Sequence, residues 1–422
     1  MTSFLRFLKV KQLRNSIFMV LGLLVLFRFI AHIPVPGVDA SALSQFFQSN
    51  QVLGLLNLFS GGTLENFSLI ALGVGPYITS SIIFQLLAMI IPSMEEMQKE
   101  ERGRQKITQW TRLATVPLAF LQGYGIINIL SQQGKGLALA AGGWTLIIAL
   151  ISMTTGTIFL MWLGELISER NVGNGVSILI FAGIIANLPT TLQRVVATFD
   201  QSQIFDMMLF AVMVVVCVAG VVYINESQRN IPVQYARMRQ GTRSLGGVNS
   251  NLPLRINMGG MIPILFAISI ILFPTTLAQF FIHAKTAWIA NGASWIIAVF
   301  QNQLVYGIVY FVLVFAFTFF YASVVFHPDR IAENLQKQGG FIPGIRPGKS
   351  TAEYLQWVSN RLLFLGATFL AVIAILPVVV QQFTGTQSLV VGGSSIVIVV
   401  SVVIDIVKQI EAQMAMHEYD GA

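Results

Sequence analysis

The sequence predicts an all-α membrane protein with ten transmembrane helices in two inverted five-helix halves. Three observations carry that prediction. Of its 422 residues, 55% are hydrophobic and only 10% are charged, against roughly 25% charged in a soluble domain. Apolar runs of about 17–25 residues recur without period-two alternation, which favours helices over a barrel. Two of those runs, at corresponding places in the two halves, are broken by glycine followed by proline.

Taken in order, the spans fall at about 16–33, 74–92, 113–130, 144–166, 174–189, 206–224, 257–281, 303–326, 361–380 and 389–407. The start MTSFLRFLKVKQLRN is basic and precedes an apolar run, as a signal peptide does. No small-residue cleavage site follows and IPVPG ends the run, so a retained first span is expected. An even number of spans puts both termini on one side. Arg6, Lys9, Lys11 and Arg14 precede the first span, and Lys99, Arg102, Arg104, Lys106 and Arg112 separate the second from the third. Arg229, Arg237, Arg239, Arg243 and Arg255 separate the sixth from the seventh; Arg330, Lys337, Arg346, Lys349 and Arg361 separate the eighth from the ninth. With Arg170 and Lys408 these share one face, against Lys135, Arg194 and Lys285 on the other. Basic loops stay inside, so cytosolic termini are expected.

The second span of each half is the unusual one. After the half-polar run NLFSGGTLENFSLIAL comes GVGPYI, and the seventh span opens NMGGMIPILF. Backbone that is not helical at membrane depth survives only where protein or a water-filled cavity receives its polar groups. A five-span half enters the membrane from the opposite side when repeated, so the two breaks face each other across a pseudo-two-fold axis. Glycine and proline are also common as packing notches in membrane helices. Their matched positions favour a shared central pathway instead.

The chemistry of that pathway narrows the function. An ion-coupled carrier places an Asp, Glu or His near the bilayer centre. Here Glu165, Asp405 and Asp206 fall near span ends, Arg28 lies close enough to an interface to snorkel, and His32, His283, His327 and His417 lie at span ends or beyond. Neither a midplane Ser–His pair nor a paired Asp arrangement occurs, so an intramembrane protease is not expected. No phosphate loop or Cys/His cluster is present, and no cofactor or metal is expected. The single cysteine, Cys217, lies in an apolar run and reads as a packing thiol, with no intrachain disulfide. The connections 225–256 and 327–357 are long, and they carry NIPVQYARMRQG and GGFIPGIRPGKS, in which arginines sit beside Gly and Pro turns. They read as a docking surface for a large cytosolic partner.

FSGGTLENFSLIALGVGPYITSSIIFQLL, KEERGRQKITQWTR, GTIFLMWLGELISERNVGNGVSILIFAGIIANLP, LPLRINMGGMIPILFAISIILFPTT and FIPGIRPGKSTAEYL together resemble the SecY family. These are the central subunits of the Sec protein-conducting channel, and the bacterial branch is the nearest. The likeness runs from about Phe4 to Tyr419. It implies a clamshell around an hourglass pore in the cell membrane, passing unfolded polypeptides across it and releasing hydrophobic segments sideways into lipid, without enzymatic activity. The halves would be 1–187 and 206–422, hinged at an external connection 188–205. The family's pore ring falls on Val74, Ile78, Val176, Ile180, Leu265 and Ile398. Its plug falls on roughly Asn57 to Leu72, with Phe59, Ser60, Gly61, Gly62, Thr63, Leu64, Glu65, Asn66, Phe67, Ser68, Leu69 and Ile70 at its heart. Its lateral gate would include Thr79, Ser80, Gln85 and Asn257, expected to hydrogen-bond across the closed seam. Arg237, Arg239, Arg243, Arg346 and Lys349 match its cytosolic partner-binding loops. The implied partners are SecE, commonly SecG, the SecA motor, the ribosome, signal-bearing polypeptides and membrane lipids. An inverted-repeat secondary transporter is the alternative, and a membrane scaffold a weaker third.

Overall fold

The structure, a computed structural model, describes residues 10–35, 60, 63–64, 67–132, 143–197, 204–235, 239–240, 243–244, 249–282, 286–384 and 387–420. Its helices are α1 Lys11–Ile30, α2 Gly75–Ile90, α3 Pro92–Lys99, α4 Glu101–Gln132, α5 Gly143–Glu169, α6 Gly175–Ala197 and α7 Ile204–Glu226. Then come strands β1 Gln228–Tyr235, β2 Arg239–Gln240, β3 Arg243–Ser244 and β4 Asn249–Arg255. The chain continues through α8 Ile262–Phe281, α9 Ala287–Gln301, α10 Gln303–Val325, α11 Pro328–Lys337, β5 Gly340–Phe341, α12 Lys349–Thr384 and α13 Gln387–Asp420. Each of the ten expected spans falls on one of these helices. Length and hydropathy alone single out only four described helices as able to cross, or five if the α2–α3 pair, bent by 111°, counts as one.

The two halves repeat the same packing. In the first, α2 packs on α4, α4 on α5, α5 on α6, and α1 on both α5 and α6. In the second, α8 packs on α10, α10 on α12, α12 on α13, and α7 on both α12 and α13. Replacing α1, α2, α4, α5 and α6 by α7, α8, α10, α12 and α13 converts one set of contacts into the other. Between the halves α8 meets α2 and α4 on one side, and α13 meets α6 on the other.

The broken helices share their local grammar as well. Gly73 and Gly260 have φ of 59° and 58°, a left-handed backbone that a Cβ penalises. Each stands two residues before a helix whose second residue is proline, Pro76 in α2 and Pro263 in α8, where the missing N–H costs nothing. Ile78 N–H donates to Val74 O at 3.0 Å, and Leu265 N–H donates to Met261 O at 3.3 Å. Ile78 and Leu265 therefore occupy equivalent places in the repeat.

The two long connections are not simple loops. β1 is the central strand of a sheet ordered β4-β1-β5, with antiparallel register Ile231 to Leu252 and Gln234 to Phe341. Ile231 and Val233 alternate inward and join Leu254, Leu335, Ile342, Leu355 and Val358 in a small core. Both connections are thereby joined into one body.

Candidate functional site: an apolar cluster between the halves

Five of the six expected ring residues are nearly inaccessible: Val74, Ile78, Ile180, Leu265 and Ile398. They belong to one apolar cluster drawn from helices of both halves, and the half-buried Val176 packs against it. Aliphatic carbon offers water no hydrogen bond, so a buried cluster of this kind is dry. Ionisable groups of neighbouring helices pair with one another. Arg112 Nε meets Glu165 Oε1 at 2.6 Å between α4 and α5. Lys408 Nζ reaches Glu226 Oε1 at 3.0 Å and Asn225 O at 2.6 Å between α13 and α7.

Of the plug segment, Phe59, Gly61, Gly62, Glu65 and Asn66 lie outside the described residues. The described remainder is buried: Ser60, Thr63, Leu64, Phe67, Ser68 and Ile70 are all at most 3% exposed, with Leu69 half-buried. Its polar groups are satisfied locally. Thr63 Oγ1 lies 2.7 Å from Ser60 O and 2.8 Å from Ile70 O, and Ser60 Oγ accepts from Leu64 N–H at 3.1 Å. The segment is tied to the end of α1 by Val35 N–H to Phe67 O at 2.9 Å and Leu69 N–H to Ile33 O at 3.0 Å. Leu64, Phe67, Ala71 and Leu72 pack with Ala119, Ile126 and Ile127 of α4 and Ala149, Leu150 and Met153 of α5. Ile70 turns to the ring cluster. Contact with α5 is close enough that a Cβ on Gly156 would stand 2.0 Å from Leu69 O. The segment is therefore seated on the first half. That seat was invisible in sequence, because nothing around Gly156 marks it as a landing place.

The four expected gate residues divide. Thr79 lines a cavity of about 40 Å³ with Ser269, Leu272 and Phe273 of α8, at the meeting of the halves. Gln85 lines a groove of about 780 Å³ that runs from α2 and α4 to Tyr321 of α10 and Arg330 of α11. Ser80 instead points into its own half and donates to Thr111 O of α4 at 2.8 Å. Asn257 lies before α8 begins, inside the second half, and donates to Asn225 Oδ1 at 2.6 Å and Gly260 O at 3.1 Å. The expected hydrogen bonds across the seam therefore need correction. Thr79 donates to Gly75 O at 3.1 Å and Gln85 to Ser81 Oγ at 3.0 Å, each within α2. A helical polar side chain finds a partner one turn back more readily than a group on a separable surface.

Arg346 is exposed on a turn between Gly344 and Gly348, both at positive φ, and its carbonyl accepts from Thr351 Oγ1 at 2.9 Å. Lys349 is exposed at the first position of α12. Arg237 lies outside the described residues; Arg239 and Arg243 sit in the β2–β3 ribbon, paired in backbone register with Ser244 and Gln240.

Known proteins share this organisation. A model of the SecY family matches residues 68–407. The protein translocase subunit SecY of Corynebacterium glutamicum is 41% identical, the match covering 100% of this chain and 99% of that one. That of Bacillus subtilis is 42% identical over 98% of this chain and 97% of its own. Among solved structures, one described as a protein conducting channel superposes with a TM-score of 0.65 at 17% identity, covering 94% of this chain and 91% of that one. Canine Sec61, in a ribosome-channel complex from the endoplasmic reticulum, gives 0.58 at 16% identity over 94% and 91%.

Proposed function

The chain belongs to the SecY family, and from that premise we propose how its residues perform the work of a protein-conducting channel subunit. It is a multi-pass membrane protein whose relatives are translocase subunits, a non-enzymatic family. Membership sets aside the secondary-transporter alternative.

The observation that carries the residue-level reading is the single apolar cluster in which both broken helices meet α6 and α13. A ring at Val74, Ile78, Val176, Ile180, Leu265 and Ile398 seals the resting pathway, and a passing chain finds there no charge or hydrogen bond to hold it. The segment ending near Leu72 is the stopper, and α2 beyond Pro76 is a gate wall. Gly73, with its left-handed backbone, is the joint that lets one move without the other. The seam of α8 against α2 and α4 is the lateral gate, with Thr79 and Gln85 facing it. Its opening admits a hydrophobic segment by partition: about 0.3–0.6 kcal/mol is gained per Leu-like residue, and about 2.5–3.5 is lost per central charge. Ten such residues yield roughly 3–6 kcal/mol, so one or two charges decide between export and insertion.

The basic face is cytosolic and carries both termini. The β4-β1-β5 body and the Arg346 turn receive the ribosome or the SecA motor, SecE clamps the two halves, and SecG joins them. The exposed arginines and the joining of both connections in one sheet support that docking role.

A photo-crosslinking residue at Ile78 or Ile398, in reconstituted membranes holding a stalled secretory chain, tests the pathway. Capture of the chain is expected at both. Intact signal-dependent transport with no capture at either position would remove the pore assignment.

A further inference from the structure

The chemistry of transport leaves α9 unused. This helix connects α8, the seam helix, to α10, and it packs on both. Its sequence AWIANGASWIIAVFQ contains no Lys, Arg, Asp or Glu, yet at 15 residues it is too short to span a bilayer. Ala293 is buried and Ile289, Ile296, Ile297 and Phe300 are half-buried, so one face is turned to the protein. The opposite face presents Trp288, Asn291, Ser294 and Trp295. Seven residues on a helix bring two side chains back to one stripe, about 10 Å apart. Trp288 is 76% exposed and Trp295 68%.

Two large indoles flanked by an amide and a hydroxyl, without a formal charge, suit neither bulk water nor hydrocarbon. They suit the boundary between them, where the ring is apolar and its N–H meets a headgroup. Placement agrees. Ten alternating crossings put the end of α8 and the start of α10 at the boundary opposite the termini, together with the starts of α5 and α7. There Trp144 is 79% exposed and Phe205 75%. The exposed face of α9 thus matches the exposed Trp144 at the start of α5.

We propose that α9 is a lipid-surface helix, lying in the headgroup zone opposite the basic face and held there by Trp288 and Trp295. It ties the far end of the seam helix α8 to the bilayer surface.

The test places a fluorophore on Asn291→Cys in the full complex, reconstituted in phosphatidylethanolamine and phosphatidylglycerol vesicles. Cys217 is fully buried and does not compete for label. Nitroxide lipids carry the quencher at the headgroup or deep in the acyl chain, and iodide serves as the aqueous quencher. Strongest quenching by the headgroup nitroxide is expected, falling at least twofold in Trp288→Ala/Trp295→Ala while the thermal melt of the complex holds. Strongest quenching by iodide, by the deep nitroxide, or by none of the three would overturn the proposal, pointing respectively to water, to a re-entrant insertion, or to a covering subunit.

Discussion

Substituting Gly156 by alanine tests whether the plug rests on α5. The added methyl would stand 2.0 Å from Leu69 O, 2.7 Å from Leu69 C and 3.2 Å from Ile70 Cα. Ordinary carbon-to-oxygen contacts are about 3.3–3.6 Å, so the Leu69 carbonyl must retreat by roughly 1.3 Å. The atoms it would disturb are backbone, with no side-chain rotation to absorb the shift. The retreat strains the Leu69 N–H to Ile33 O and Thr63 Oγ1 to Ile70 O bonds. Overpacking of this kind costs about 1–3 kcal/mol. Charged entirely to the seated state, that is a rise of about 5- to 150-fold in the fraction of unseated plugs. Conductance of the reconstituted complex without substrate measures it, and leak is expected to rise by that order. Gly22→Ala in α1, where nothing lies within 4 Å of the new methyl, is the matched control and should be silent. A Gly156→Ala channel that melts normally and seals like the parent would refute the seat on α5.

Three further outcomes follow from the same geometry. Ile398→Asn puts an unpartnered amide at a position 1% exposed; burial without a partner costs about 1–3 kcal/mol, and the ring should wet, seen as ion leak, whereas an unchanged seal would take Ile398 out of the ring. Arg346→Lys keeps charge but loses the planar fork, so motor- or ribosome-dependent transport should fall while the thermal melt stays put; normal transport returns Arg346 to a turn residue. Asn257→Leu removes the donor that Asn225 Oδ1 accepts from and should cost about 1–3 kcal/mol, read as a lowered melting temperature without any change in the hydrophobicity a signal needs. A shifted signal threshold would instead put Asn257 back at the seam.

The spans and both breaks were legible because each is a local signal: a run of apolar residues, or a Gly and Pro within four positions. What could not be read depends on partners distant in sequence. β1 carries only Ile231 and Val233 as inward positions, and its neighbour β5 lies about a hundred residues on, so neither connection announces a sheet. The helix α9 was missed because its apolar run is shorter than a crossing. For the gate, sequence could name polar side chains but not their acceptors. Ser80 and Thr79 each had a backbone carbonyl within reach, and that proximity decided their bonds.

The sharing of strand β1 also has a mechanical side. Its two neighbours come from different connections, one rooted in α7 and α8, the other in α10 and α12. A pull on either is divided between four membrane helices of one half and acts on them as a handle on a single block. The tip between α3 and α4 is rooted only in the other half. A partner that grasped both would have a lever arm on each side of the seam, and torque between its two grips would turn one half against the other.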